Sequence, residues 1–138
     1  MKKPLLILAL VLCFAQMGLA QTIRNTGNSA LITIDDRGYV RTTGNSVIAR
    51  IEQNGTIRDN SNRFLGKIEN DGTMRDRNNS YLGKVESNGT VRNPSNSVLG
   101  KVESDGTVRD RNNHTLGTAR GVSMQVAALY FFFDFFRQ

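Results

Sequence analysis

Glycine returns every 17 residues in this chain, at Gly38, Gly55, Gly72, Gly89 and Gly106. Arginine keeps the same interval at Arg24, Arg41, Arg58, Arg75, Arg92 and Arg109, and asparagine keeps it at Asn28, Asn45, Asn62, Asn79, Asn96 and Asn113. Three residue types held to one period over about ninety residues mark a repeat architecture, in which each unit buries its apolar side chains only against its neighbours. Aliphatic residues run in the same register. One set is Leu31, Ile48, Leu65, Leu82, Leu99 and Leu116. A second is Ile34, Ile51, Ile68, Val85 and Val102, with Ala119 as a weaker last member. A third is Ile23, Val40, Ile57, Met74, Val91 and Val108. A unit reads L-G-K-V-E-S-N-G-T-V-R-D-x-x-N-x-x.

Two runs rich in β-branched residues flank Asn-Gly or Asp-Gly, which is a hairpin signal. Side-chain alternation selects the loop length. With a two-residue loop at Asn88 and Gly89, Val85 and Val91 would fall on opposite faces. With the three-residue loop Ser87-Asn88-Gly89, Val85 pairs with Val91 and Glu86 with Thr90, so both valines share one face. That loop is a type I turn followed by a left-handed glycine. The first unit departs, with Arg37 in the Asn/Asp slot of Asp35-Asp36-Arg37-Gly38. Leu82 and Val85 are three apart, which breaks strict alternation, and Gly83 lies between them, as do Gly66, Gly100 and Gly117 in their units. A glycine there predicts a bulge or bend that returns the leucine to the core side. The first two units carry Ile32 and Ala49 instead. The second connection (DNSNR, DRNNS, NPSNS, DRNNH) is polar, and its periodic asparagine suits a left-handed turn position.

Five hairpins follow, at 31–41, 48–58, 65–75, 82–92 and 99–109. Half-units remain at 22–25 and 115–120. Complementary halves at the two ends fit a closed ring, in which the first and last strands pair and leave no exposed edge. Each unit offers about three aliphatics, worth ~1.5–3 kcal/mol apiece, against ~1–2 kcal/mol of backbone entropy per residue, so the units must share a centre. The expected fold class is therefore all-β, with repeated β-hairpins in a closed ring about a central axis and a C-terminal apolar helix. Residues 121–138 supply that last element. Five of the seven phenylalanines lie between Tyr130 and Phe136, and Val126, Leu129, Phe133 and Phe136 fall at helical spacing from Val122. A helix apolar all round is buried or in lipid. It is short for a span, and Asp134 would be costly there. Packing against the ring is the favoured reading over contact with a membrane or partner, and a strand is the alternative for the aromatic run.

The beginning reads as a targeting segment. Lys2 and Lys3 precede the apolar run LLILALVLCFA, and Gly18-Leu19-Ala20 supplies small residues before a cut, so residues 1–20 are expected to be a signal peptide and 21–120 the repeat domain. Cys13 is the sole cysteine and would leave with that segment, so no disulfide or thiol chemistry is expected. Loss of Lys2 and Lys3 lowers the formal charge from +6 to +4, with 16 Lys and Arg against 12 Asp and Glu.

The units G-T-[IV]-R-[DN] and L-G-K-[IV]-E-x-[ND]-G at a 17-residue beat resemble the five-fold β-flower proteins, a family of small exported bacterial proteins. The resemblance covers about residues 22–120. It implies hairpins set as petals about an axis, and it brings no activity or catalytic residues with it. Thr42 and Arg37 are the departures, both in the first unit.

The sequence assigns no catalytic, cofactor-binding or metal-ligating residue. His114, the sole histidine, occupies a slot held elsewhere by serine or arginine, and reads as loop variation. Asp76-Arg77-Asn78-Asn79 and Asp110-Arg111-Asn112-Asn113 gather oxygen donors. The arginines among them, and the lack of a bidentate acidic closer, argue against calcium. Lys84, Glu86 and Arg92 are expected to share the outer face of one hairpin, with Glu86 diagonal to Arg92. Lys67, Glu69 and Arg75, and Lys101, Glu103 and Arg109, repeat that cluster. Charge cancelled locally in this way, with only Tyr39, Phe64 and Tyr81 as aromatics in the repeats, does not suit nucleic acid. Asn-x-Ser/Thr occurs at Asn54, Asn78, Asn88 and Asn113, two of them simply the turn N-G-T, and reads as hairpin chemistry rather than a glycan acceptor. The chain is therefore expected to be an exported, non-enzymatic structural or interaction protein without a cofactor. Its partner would be cell-envelope, glycan or protein in nature, and a glycan-, peptide- or small-ligand-binding module is the alternative.

Overall fold

The computed structural model describes residues 21–136. The expected signal segment 1–20 lies outside the described residues, as do residues 137–138. Twelve short strands follow in order: β1 (Gln21–Arg24), β2 (Ala30–Ile34), β3 (Tyr39–Thr42), β4 (Val47–Ile51), β5 (Thr56–Asp59), β6 (Phe64–Ile68), β7 (Thr73–Asp76), β8 (Tyr81–Val85), β9 (Thr90–Arg92), β10 (Val98–Val102), β11 (Thr107–Asp110) and β12 (Thr115–Thr118). Each pairs antiparallel with its sequence neighbours, and β12 pairs with β1, so the sheet is a closed barrel. The end strands meet at Arg24 and Thr118. Five contiguous hairpins turn at glycine, and β12 and β1 form a sixth equivalent unit from the two ends of the chain.

The hairpin register follows the alternation argument. Val85 pairs with Val91 and Lys84 with Arg92. The Gly89 N–H donates to the Glu86 carbonyl at 2.9 Å and the Glu86 N–H to the Thr90 carbonyl at 2.8 Å, which closes a three-residue loop. Gly89 has φ +90°, and Gly38, Gly55, Gly72 and Gly106 lie between +89° and +92°. Arg37 leaves the first turn unchanged in backbone, because Asp35 takes over the missing role. Its Oδ1 accepts from Arg37 N–H at 3.0 Å and Tyr39 N–H at 2.9 Å, whereas in later turns the Asn or Asp beside the glycine accepts from the following threonine, as Asn88 does from Thr90 at 3.0 Å. The other turns place Asn28, Asn45, Asn62, Asn79, Asn96 and Asn113 in the left-handed region, at φ +64° to +69°. Asn93 opens one of them, its Oδ1 accepting from Ser95 and Ser97 N–H at 3.0 and 2.9 Å. Thr42, the departure from Asp/Asn, uses Oγ1 for a longer bond of 3.3 Å to Ser46 N–H.

The strand glycines sit at bulges, with one correction to their expected purpose. Val98 pairs with Arg92 and Gly100 with Val91, so Leu99 is the extra residue. The glycine, not the leucine, is fully buried. Leu65, Leu82, Leu99 and Leu116 are half-buried at the margin of the core. Ile32 and Ala49 hold the glycine slot in the first two glycine-turn hairpins, at 3 % and 1 % exposure. The third aliphatic set is the heart of the barrel: Ile23, Val40, Ile57, Met74, Val91 and Val108 are all at 0 %.

A single helix, α1 (Met124–Phe133), follows the last strand. Ser123 caps it, its Oγ accepting from Val126 N–H at 3.2 Å. It ends where Asp134 turns left-handed at φ +56° and Phe135 N–H donates to the Leu129 carbonyl at 3.0 Å. The helix is thus shorter than the apolar run, and the last phenylalanines leave it in a turn. Its middle, Val126 to Tyr130, is buried, with Ala127, Ala128 and Leu129 at 0 %. No helix among the described residues is long and apolar enough to cross a membrane.

Candidate functional site

The outer face of each hairpin carries the same ion pair. Arg92 Nε lies 3.2 Å from Glu86 Oε1, Arg109 Nε 3.2 Å from Glu103 Oε1, Arg75 Nε 3.4 Å from Glu69 Oε1 and Arg58 Nε 3.6 Å from Glu52 Oε2. In the first unit Arg41 faces Asp35 at 3.9 Å. Arg58, Arg75, Arg92 and Arg109 also reach the next turn, as where Arg92 Nη1 donates to the Asn96 carbonyl at 3.1 Å. Partly exposed pairs of this kind stabilise by at most ~1 kcal/mol each. Their consequence is that the repeated acids and arginines of these five units are committed to one another.

Four turn carboxylates are held by the backbone of their own turns. Asp59, Asp71, Asp105 and Asp110 are held below their ordinary value of 3.8, chiefly by backbone N–H donors from Arg63, Thr73, Thr107 and His114 respectively. A carboxyl whose folded value lies below its unfolded value favours folding above the unfolded value, and that contribution is lost as pH falls through the folded one. The thermal midpoint is therefore expected to hold from about pH 7 to about pH 5 and to fall below about pH 4. Melting followed by circular dichroism across that range checks it.

The axis of the barrel is filled from the C-terminal side. A methyl group at Gly117 would lie 2.8 Å from Phe131 Cζ, at Gly100 2.6 Å from Phe132 Cζ, at Gly83 2.6 Å from Phe133 Cζ, and at Gly66 2.7 Å from Phe135 Cζ. Four strand glycines each receive one phenylalanine ring. Phe136, 2 % exposed, is buried as well. Two of the open grooves around this plug bear on binding. One, of about 490 Å³, runs beside the start of α1 at the glycine-turn end, bordered by Glu86, Glu103, Ser123 and Gln125 among others. The other, of about 580 Å³, is more apolar and is lined by Asn25, Leu31, Thr42, Tyr130, Phe131 and Phe136 among others. Tyr130 and Phe131 meet edge to face in it, 5.1 Å between ring centres.

A family model described as the 5-fold beta-flower protein matches residues 20–135. The chain belongs to the 5-fold beta-flower family. No curated protein and no solved structure matches it. In this β-flower the residues considered for chemistry serve the turns. His114 is exposed; its N–H donates to Asp110 Oδ1 at 2.9 Å, and its Nδ1 lies 3.4 Å from Asp110 Oδ2. The oxygen-rich turns are built the same way: Asp76 Oδ1 accepts from Asn78 and Ser80 N–H, both at 2.9 Å. Of the repeat aromatics, Tyr39 faces the Arg41 guanidinium at 5.9 Å, while Phe64 and Tyr81 are exposed. The aromatic groove of the β-flower could not be found by composition, because its walls come from β2, the β3 end, β12, α1 and the turn after it. For the plug there was one numerical signal: four strand glycines and a run of phenylalanines in the same chain.

Proposed function

We propose that this β-flower is an exported, non-enzymatic structural or interaction module of the cell envelope. The observation that carries the reading is the use of the polar repeat residues: the acids and arginines pair with each other, the asparagines shape turns, and α1 occupies the axis. The protein then offers a rigid, laterally repeated surface with little conformational entropy left to lose on binding, which favours association. A second reading, a module for a small or chain-like apolar ligand, is supported by the 580 Å³ groove with Tyr130, Phe131 and Phe136.

Expression of the full chain, cell fractionation and N-terminal sequencing test export: the expected product starts at Gln21 outside the cytoplasm, and an uncleaved cytoplasmic chain overturns it. Co-sedimentation of that product with purified peptidoglycan sacculi and with envelope membranes tests the interaction, with Thr42→Trp as the variant that fills the groove. Binding kept by the variant supports the surface reading, and binding lost supports the groove. No association with either envelope fraction, or turnover of ester, peptide or glycoside reporters, overturns the proposal.

A further inference from the structure

The repeat sets an acid at one point of every glycine-turn hairpin: Asp35, Glu52, Glu69, Glu86 and Glu103. Seventeen residues after Glu103 the slot holds Arg120. The arginine diagonal to it across the closing junction is Arg24, which occupies the slot of Arg41 and Arg109. The registers confirm the equivalence, since Thr118 faces Arg24 as Lys101 faces Arg109. Where every other unit brings a carboxylate to its arginine, the seam between β12 and β1 brings a second arginine. Among the described residues neither Arg24 nor Arg120 is in an ion pair.

A groove of about 550 Å³ opens there, lined by Thr22, Arg24, Asn28, Thr118 and Arg120, with no carboxylate among them. Arg24 Nη1 donates to the Asn28 carbonyl at 3.1 Å, the same bond that holds its counterparts, so this guanidinium is fixed at the groove wall. Asp105 is held low chiefly by Thr107 N–H, with a smaller contribution from the Arg120 charge. That carboxylate's Oδ1 is turned to Thr107 N–H at 3.0 Å. We propose that the seam binds a tetrahedral oxyanion of the phosphate or sulfate class between Arg24 and Arg120. Guanidinium groups present planar pairs of N–H donors that match such oxygens, and the hydroxyls of Thr22 and Thr118 add donors on the same wall. The volume exceeds a free phosphate, so a substituent on the anion can extend outward. The same two positive charges oppose each other at the one junction of the barrel that no turn connects. An anion between them relieves that repulsion, so binding and closure are linked, and the ligand stabilises the folded barrel.

The test is a melting series on the mature chain in sodium phosphate against sodium chloride at matched ionic strength. The expected result is a saturable rise in midpoint of roughly 3–5 °C in phosphate. Arg120→Glu restores the pair found in the other units. It is expected to melt higher than the unmodified chain in chloride and to lose the phosphate response. Arg120→Gln, which adds no charge, is expected to lose the response while folding normally, and stands in if the glutamate variant does not fold. Glycerol 3-phosphate run in parallel separates the sources: an equal response points to a phosphate carried on a larger ligand, and a response to inorganic phosphate alone points to the free anion. A rise that does not saturate, or one that both Arg120 variants retain in full, is general salt stabilisation and overturns the site.

Discussion

A chain ending at Arg120 is expected to lose cooperative unfolding altogether. Residues 121–136 place Val126, Ala127, Ala128, Leu129, Tyr130 and Phe136 at 8 % exposure or less, and the rings of Phe131, Phe132, Phe133 and Phe135 cover strand glycines that have no side chains of their own. Large apolar side chains contribute ~1.5–3 kcal/mol each when fully buried, while domain stabilities are about 5–15 kcal/mol. Removing the plug therefore costs more than the whole margin. It would leave a void floored by Gly66, Gly83, Gly100 and Gly117, which strands of three to five residues cannot collapse to fill while the barrel stays closed. The truncated chain should show no sigmoidal melt by circular dichroism and should bind an apolar dye. Leu129→Ala, a milder version, should destabilise by about 2–5 kcal/mol in urea titrations. A soluble truncated barrel with an undiminished transition would show instead that the twelve strands suffice, and that α1 serves a membrane or partner.

Gly89→Ala should be strongly destabilising, as should the same change at the equivalent turn glycines. Two causes add. The backbone sits at φ +90°, which an alanine adopts only with strain. The new methyl would also run into the Val102 carbonyl of the next hairpin. That carbonyl cannot retreat easily, because Val102 N–H donates to the Gly89 carbonyl at 2.9 Å and clamps the two units together. Strain of ~1–3 kcal/mol and overpacking of ~1–3 kcal/mol give an expected loss of about 2–5 kcal/mol, read from urea unfolding. Asn88→Ala, which removes a single exposed bond to Thr90 N–H, should cost no more than ~1 kcal/mol, so the pair separates backbone need from turn polarity. Equal effects from the two variants would place the importance in the side-chain bond and not in the glycine.

The clamp explains why the glycine keeps so strict an interval. Ile51, Ile68, Val85, Val102 and Ala119 donate in turn to the carbonyls of Gly38, Gly55, Gly72, Gly89 and Gly106. Each turn glycine therefore serves its own hairpin through φ and the following hairpin through close approach. From the residues alone only the first use is visible, since the second depends on how one unit lies on the next.

The same division holds for the strand glycines. A bulge at Gly83 and Gly100 was legible from the broken alternation between leucine and valine. That a phenylalanine ring occupies the space of each missing side chain was not, because the partners come from α1 and the turn after it. The leucines were expected on the core side and lie at its margin, packed against the buried cluster alongside Phe131, Phe132, Phe133 and Phe135.

The sequence by itself determined the unit: a 17-residue hairpin with Val85 opposite Val91, glycine in the left-handed position and Glu86 diagonal to Arg92. These are local properties, fixed by alternation and by the few residues that tolerate positive φ, and they are written again in every repeat. Tertiary structure alone decided that the two half-units complete a sixth unit at the seam, that Phe131, Phe132, Phe133 and Phe135 meet Gly117, Gly100, Gly83 and Gly66, and that Thr118 pairs with Arg24, which brings Arg120 to the seam. Each of those contacts joins segments distant in the chain, and their meeting depends on the summed twist and tilt of all the units between them. A periodic pattern specifies each step of a ring, and the physical closure of the sheet decides which residues meet where the ring is joined.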